Sequence, residues 1–173
     1  EVIVSNENPI SLRPFDLEAA VMRGEADTVR FCLESGLDPN ASNDMGYTIS
    51  AWAVVSRAPL EVFKVLHKFG AEFSKVGSSG TNAVDLSVAF CRPDLLAYFA
   101  EVGSTDLVKK NARDITLDQM PVIASSSSEL SKLRDTLKSL MAQQVLSSSF
   151  GPLESAFSPA QAAMPGKPRH LSL

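Results

Sequence analysis

The sequence has little of what catalytic and metal sites are usually built from. It contains two cysteines and two histidines among 173 residues. Cys32 and Cys91 stand far apart and outside any Cys-x-x-Cys spacing, so neither a metal site nor a disulfide framework is predicted. We interpret both as small buried hydrophobic side chains.

A base held next to a reacting group is also missing. His67 stands near the end of a predicted helix, where a favourable interaction with the helix dipole explains it, and His170 stands in a tail. Residues 77–80 are rich in glycine and serine but precede no Lys-Ser or Lys-Thr pair, so they do not resemble a phosphate loop. We therefore expect no enzymatic activity, no cofactor and no metal.

The composition also disfavours two large classes of partner. Sixteen Lys and Arg against twenty Asp and Glu leave a net charge of -4, so no excess positive charge is present to neutralise the phosphates of a nucleic acid. The longest apolar runs are broken by Arg57 or Asp85, short of the roughly 20 residues that cross a bilayer. We expect no nucleic acid, no transmembrane segment, and only peripheral membrane association through partners.

What the sequence does contain is an internal repeat. Gly36, Gly70 and Gly103 lie 34 and 33 residues apart, and each follows a short apolar run. A glycine in this place ends a helix, because it adopts the left-handed conformation without a Cβ clash. A second short apolar helix precedes each run, and these helices are centred on Ala19, Ala53 and Ser87.

The repeated units resemble the ankyrin repeat, which has the pattern Gly-x-Thr-Pro-Leu-His-x-Ala-Ala, a second helix, and then Gly-Ala-Asp-x-Asn. The resemblance covers residues 12–103 and is strongest at 34–40 and 80–88. Ile49-Ser50-Ala51 and Ala83-Val84-Asp85 depart from it, since they stand where Pro-Leu-His is expected. The resemblance implies an all-α fold, an ankyrin-repeat helical solenoid that binds other proteins.

The resemblance and the composition together predict a domain plan. Residues 1–11 are an extended lead-in, and 12–120 form the repeat domain, in which Asn111 to Ile115 echo Asn82 to Leu86 as part of a truncated capping unit. The units span about 12–45, 46–79 and 80–103, followed by a cap at 104–120. Residues 121–173 are a low-complexity arm rich in Ser, Ala and Pro, with an extended C-terminal tail.

One amphipathic helix is predicted within this arm, at about residues 128–146. Ser126 and Glu129 are suited to cap its start. Leucines recur along it at steps of three, four and three residues, which places them on one stripe of the helix; they are Leu130, Leu133, Leu137 and Leu140. The opposite face is charged, so the stripe needs a surface to pack against, either in this chain or, as we predict for Leu133 and Leu137, in a partner.

The first helices of stacked repeats and the loop tips offer surfaces for binding. The residues two and three positions after the centres of the first helices are expected to share one face. They are Val21, Met22, Val55, Ser56, Ala89 and Phe90. Five of these six residues are apolar, which marks an interaction site unless a register shift of one residue buries them in the core. From this set we predict Met22, Val55 and Phe90 as partner contacts.

Five further residues are candidate partner contacts, and the first three of them have a plainer alternative. Trp52 is either a core side chain or an interface anchor. Met45 and Tyr47 stand in a loop tip, where they meet a partner or are ordinary turn residues. Phe150 and Phe157 are sparse apolar anchors in the C-terminal tail.

These features predict a non-catalytic adaptor, a scaffold subunit or assembly factor that joins other proteins in a hetero-oligomer. A sorting or delivery chaperone, which binds client segments transiently at the same groove, is the alternative. We expect an intracellular, soluble protein. Because the chain begins at Glu1 rather than Met, it is interpreted as either trimmed or the mature product of a targeted precursor, which favours an organellar complex, respiratory or photosynthetic.

Overall fold

The computed structural model describes residues 11–104, 106–107, 109–111 and 114–149. Within these ranges the chain forms seven α-helices, one short 3₁₀ helix and no β-strand, which confirms the all-α prediction. The helices are α1 Pro14–Arg23, α2 Ala26–Glu34, α3 Ile49–Val55, α4 Leu60–Lys68, α5 Ala83–Ala89, α6 Pro93–Glu101 and α7 Ser127–Ser149, with the 3₁₀ helix at Leu117–Gln119. None of the described helices is long and apolar enough to cross a bilayer.

The first six helices form three pairs, and the turn inside each pair has the same geometry. Gly24, Arg57 and Cys91 follow the first helix of each pair in the left-handed conformation, with φ of 71°, 57° and 52°. The next amide donates back to a carbonyl five residues earlier. These bonds are Glu25 N to Ala20 O at 3.1 Å, Ala58 N to Ala53 O at 2.9 Å and Arg92 N to Ser87 O at 2.7 Å.

The second helix of each pair ends in the same way at the predicted glycines. Gly36, Gly70 and Gly103 have φ of 94°, 87° and 68°. The amide that follows each glycine again reaches back five residues. The bonds are Leu37 N to Cys32 O at 3.3 Å, Ala71 N to Leu66 O at 3.0 Å and Ser104 N to Phe99 O at 3.0 Å. The three pairs are therefore structural copies of one another.

Arg57 occupies a backbone conformation that glycine adopts at lower cost. Replacing it with glycine is expected to raise the free energy of unfolding by about 1 kcal/mol, because a non-glycine residue in this region is strained. Its exposed side chain makes no hydrogen bond or ion pair to the residues that the structure describes. Urea denaturation followed by circular dichroism measures the change. Gly24→Ala is the converse variant, and it is expected to destabilise the chain, because a Cβ there would lie 2.8 Å from Pro59 Cδ.

The pairs stack side by side. The first helices α1, α3 and α5 contact one another in that order, and α2 contacts α4. Buried side chains from all six helices form one continuous core. Between the second and third pairs, Phe73 in the intervening loop packs its ring on Phe99 of α6 at 4.3 Å, and Phe63 of α4 lies 5.7 Å from the same ring. All three rings are fully buried, so this cluster joins two neighbouring pairs.

The loop that follows each pair also repeats, and this repetition corrects the predicted register of the capping unit. In each loop one amide bonds the carbonyl four residues on; these bonds are Asn43 N to Tyr47 O, Gly77 N to Thr81 O and Asn111 N to Ile115 O. Asn111 is thus equivalent to Gly77 rather than to Asn82. The helix-start positions Thr48 and Asn82 correspond to Thr116, and the helix that follows ends after one turn, because Pro121 disfavours helical geometry at the preceding residue.

The amphipathic helix packs on the chain itself. α7 contacts α6 and the 3₁₀ helix, and it covers the end of the stack. Leu133 and Leu137 are 1% and 4% exposed. The prediction that these two leucines contact a partner is therefore corrected: the stripe is real, but the surface it needed belongs to α6. Ser126 Oγ accepts from Glu129 N at 3.2 Å, as the capping prediction requires.

Candidate docking face

The register of the predicted binding face shifts by one residue in the first pair. The repeated hydrogen bonds make Ala20 the equivalent of Ala53 and Ser87, and all three are fully buried. Counting from Ala19 therefore selected one wrong residue: Val21 is equivalent to Val54 and lies in the core. Met22, two residues before the left-handed turn, is then equivalent to Val55 and Ala89.

These three equivalent positions form the centre of an apolar strip on the first helices. Met22 is 55% exposed, and Val55 and Ala89 are partly exposed. Because α1, α3 and α5 lie side by side with equivalent turns, their equivalent residues share one face. Trp52 on α3 and Phe90, which directly follows α5, are partly exposed neighbours of these positions. We call this set the apolar strip; it comprises Met22, Trp52, Val55, Ala89 and Phe90.

The first loop tip fixes one aromatic side chain beside the strip. Tyr47 is partly buried, and its ring lies 6.2 Å from that of Trp52. Its amide donates to Asn43 Oδ1 at 3.0 Å, and its carbonyl accepts from Asn43 N at 2.9 Å. Trp52 is therefore partly exposed, and one side of its ring lies near the ring of Tyr47. Met45, at 58% exposure, projects from the tip without such support.

Ile123 extends the strip and was missed by the sequence analysis. Its amide donates to the carbonyl of Ala89 at 2.6 Å, which holds it beside the end of α5. Its side chain is 65% exposed. The residue stands in a segment interpreted as part of a low-complexity arm, and no periodicity there gives a signal that it returns to the stack.

Two carboxylates lie at the first-pair end of the strip. Glu18 is on α1, four residues before Met22, so the two side chains share a face of that helix. Asp44 is in the first loop tip beside Met45. Burial, and secondarily the charge of Asp44, raise the pKa of the Glu18 carboxyl above its ordinary value. The strip therefore has an apolar centre and an acidic end.

Two clefts of the described chain lie away from the strip. The larger, about 790 Å³, is an open polar groove between the second loop and the segment after α6, with Asp85, Asp106 and Lys109 in its lining. A smaller one, about 390 Å³, lies between the C-terminal parts of α6 and α7. His67 lines neither cleft, and its ring packs on Phe73 at 5.9 Å. Within the described ranges no group of three or more His, Cys, Asp or Glu side chains could hold a metal ion.

The predicted contact residues thus have different outcomes. Met22, Met45, Tyr47, Trp52, Val55 and Phe90 all keep exposed surface on or beside one face. Leu133 and Leu137 do not, since they are buried on the face of α7 that packs on the rest of the chain. Phe150 and Phe157 lie outside the described residues.

No protein-family model matches the sequence. No curated protein matches it either. The geometry of the apolar strip and the stacked pairs is therefore the ground for a functional proposal.

Proposed function

We propose that this chain is a non-catalytic adaptor of the ankyrin-repeat type, which binds another protein through the apolar strip. The repeat type is supported by three helix pairs with matching turns at intervals of 33 and 34 residues. It is also supported by loops that repeat the same closing hydrogen bond. In this proposal the partner is a different protein, and the chain serves as a scaffold subunit or assembly factor.

The observation that carries the proposal is the exposure of apolar side chains at equivalent positions of stacked helices. Met22 and Val55 each stand two residues before a left-handed turn, on neighbouring helices, and both keep surface in contact with water. A contiguous apolar surface of this kind is typical of a protein-protein interface. Trp52, held against Tyr47, supplies the rigid aromatic anchor that such interfaces use.

Site-specific photo-crosslinking tests this proposal. A photoreactive amino acid is introduced at Val55 in the strip, and separately at Phe31, an exposed apolar residue on the second helix α2. The proposal predicts that Val55 forms a crosslink to one defined protein in the source cells and that Phe31 does not. Equal yields from both positions, or crosslinks from Phe31 alone, would contradict it.

The same experiment separates the adaptor from the chaperone alternative. An adaptor remains with its partner, so the crosslink at Val55 has one dominant product at a fixed stoichiometry. A delivery chaperone exchanges its clients, so many products of different mass appear and their yield falls after brief dilution. The chaperone function stays a prediction from the sequence, since no contact in the described chain favours it.

A further inference from the structure

We infer that the segment bound on the apolar strip carries a lysine or arginine, which it presents to Glu18 and Asp44 at the first-pair end. This inference rests on the proposed function and adds the chemistry of the partner. The occupant is therefore a polypeptide segment with apolar side chains for the strip and a cation next to them.

The first reason is that neither carboxylate is paired with a cation among the described residues. Five ion pairs occur among the described residues, and neither Glu18 nor Asp44 belongs to any of them. Arg23 is the arginine of α1 next to the strip residue Met22, and it forms an ion pair with Glu25 at 3.0 Å. Since no described side chain forms an ion pair with either carboxylate, both are available to a cation of the partner.

The second ground is the position of Glu18 relative to the strip. Glu18 lies one helical turn before Met22 on the same face, and it is already partly buried. A partner that covers Met22 removes more water from the Glu18 carboxylate. Burying an unpaired charge is costly, whereas a cation that accompanies the apolar side chains offsets that cost. Repulsion between the two acids adds to the preference for a cation.

The experiment uses a displayed library of random 12-residue peptides selected on the full chain. Peptides that bind are expected to combine apolar residues with at least one lysine or arginine. A selected peptide is then synthesised, together with a version in which the basic residue is replaced by methionine. Affinities are measured by fluorescence anisotropy for the wild-type chain, for Glu18→Gln plus Asp44→Asn, and for Asp44→Asn alone. Because Asp44 is exposed, the single variant is expected to fold like wild type.

We expect the double variant to bind the basic peptide about tenfold more weakly than wild type, and the single variant to fall between them. The methionine peptide should bind all three chains with similar affinity. Equal affinity of the basic peptide for wild type and double variant, or no enrichment of basic residues in the selection, would overturn the inference.

A further variant, Val55→Asp, distinguishes failure of this inference from failure of the proposed function. If the basic peptide binds the double variant normally but does not bind Val55→Asp, the strip is a binding site and the acidic end has no role. If Val55→Asp also binds normally, the strip itself is not the site.

Discussion

Replacing Leu133 and Leu137 together with alanine is expected to lower the free energy of unfolding by about 4 kcal/mol. These are the only fully buried side chains among the described residues of α7, so the attachment of a helix of 23 residues depends on them. Each truncation loses the transfer free energy of the buried atoms and leaves a cavity against α6. Urea denaturation, followed by circular dichroism, gives the change directly.

A matched control exists on the same helix. Val145 and Leu146 are 49% and 58% exposed, so their replacement with alanine is expected to change stability by no more than about 0.5 kcal/mol. In both experiments alanine favours the helix at least as much as the residue that it replaces, so helix propensity does not explain a loss of stability. A loss of stability as small for the leucine pair as for the control would show that α7 does not pack on the stack in solution.

The sequence predicted α7 well but not what it covers. The spacing of its leucines determines which side chains lie on one stripe, because the helical period is 3.6 residues. The same stripe fits α6 or a partner equally well, since periodicity says nothing about the opposing surface. The burial of Leu133 depends on where the chain turns after Pro121, and that turn has no signature in the local composition.

The register of the repeat could be predicted from the turn after the second helix of each pair but not from the turn after the first. A glycine stands two residues after the end of each second helix, so Gly36, Gly70 and Gly103 are visible in the sequence as a series. The first helices end at equivalent left-handed positions, but only Gly24 is a glycine there, while Arg57 and Cys91 occupy the other two. Because no series of glycines marks the ends of the first helices, the count in the first pair was shifted by one residue. That shift included Val21 in the predicted binding face.

The capping unit shows the same difficulty. The similarity between residues 111–115 and 82–86 is a likeness of side chains, whereas the hydrogen bonds align Asn111 with the loop residues Asn43 and Gly77. Ile123 could not be predicted at all, because its place beside Ala89 follows from a backbone hydrogen bond of an irregular segment.

Replacing Met22 and Val55 together with aspartate is expected to weaken binding of the natural partner by about 100-fold. Both side chains lie at the centre of the apolar strip, on neighbouring helices. Each aspartate would place a carboxylate under the apolar side chains of the partner, where it loses water. Because both positions are partly exposed in the free chain, the folded structure should tolerate the change, and thermal unfolding checks this.

The most direct test of the account is the dissociation constant of the partner crosslinked at Val55, measured for three chains by calorimetry. They are the wild type, Met22→Asp plus Val55→Asp, and Phe31→Asp, which places one carboxylate on the second helix α2. The account predicts weakening by about 100-fold for the strip variant and wild-type affinity for Phe31→Asp. Unchanged affinity of the strip variant, or an equal loss at Phe31, would contradict it.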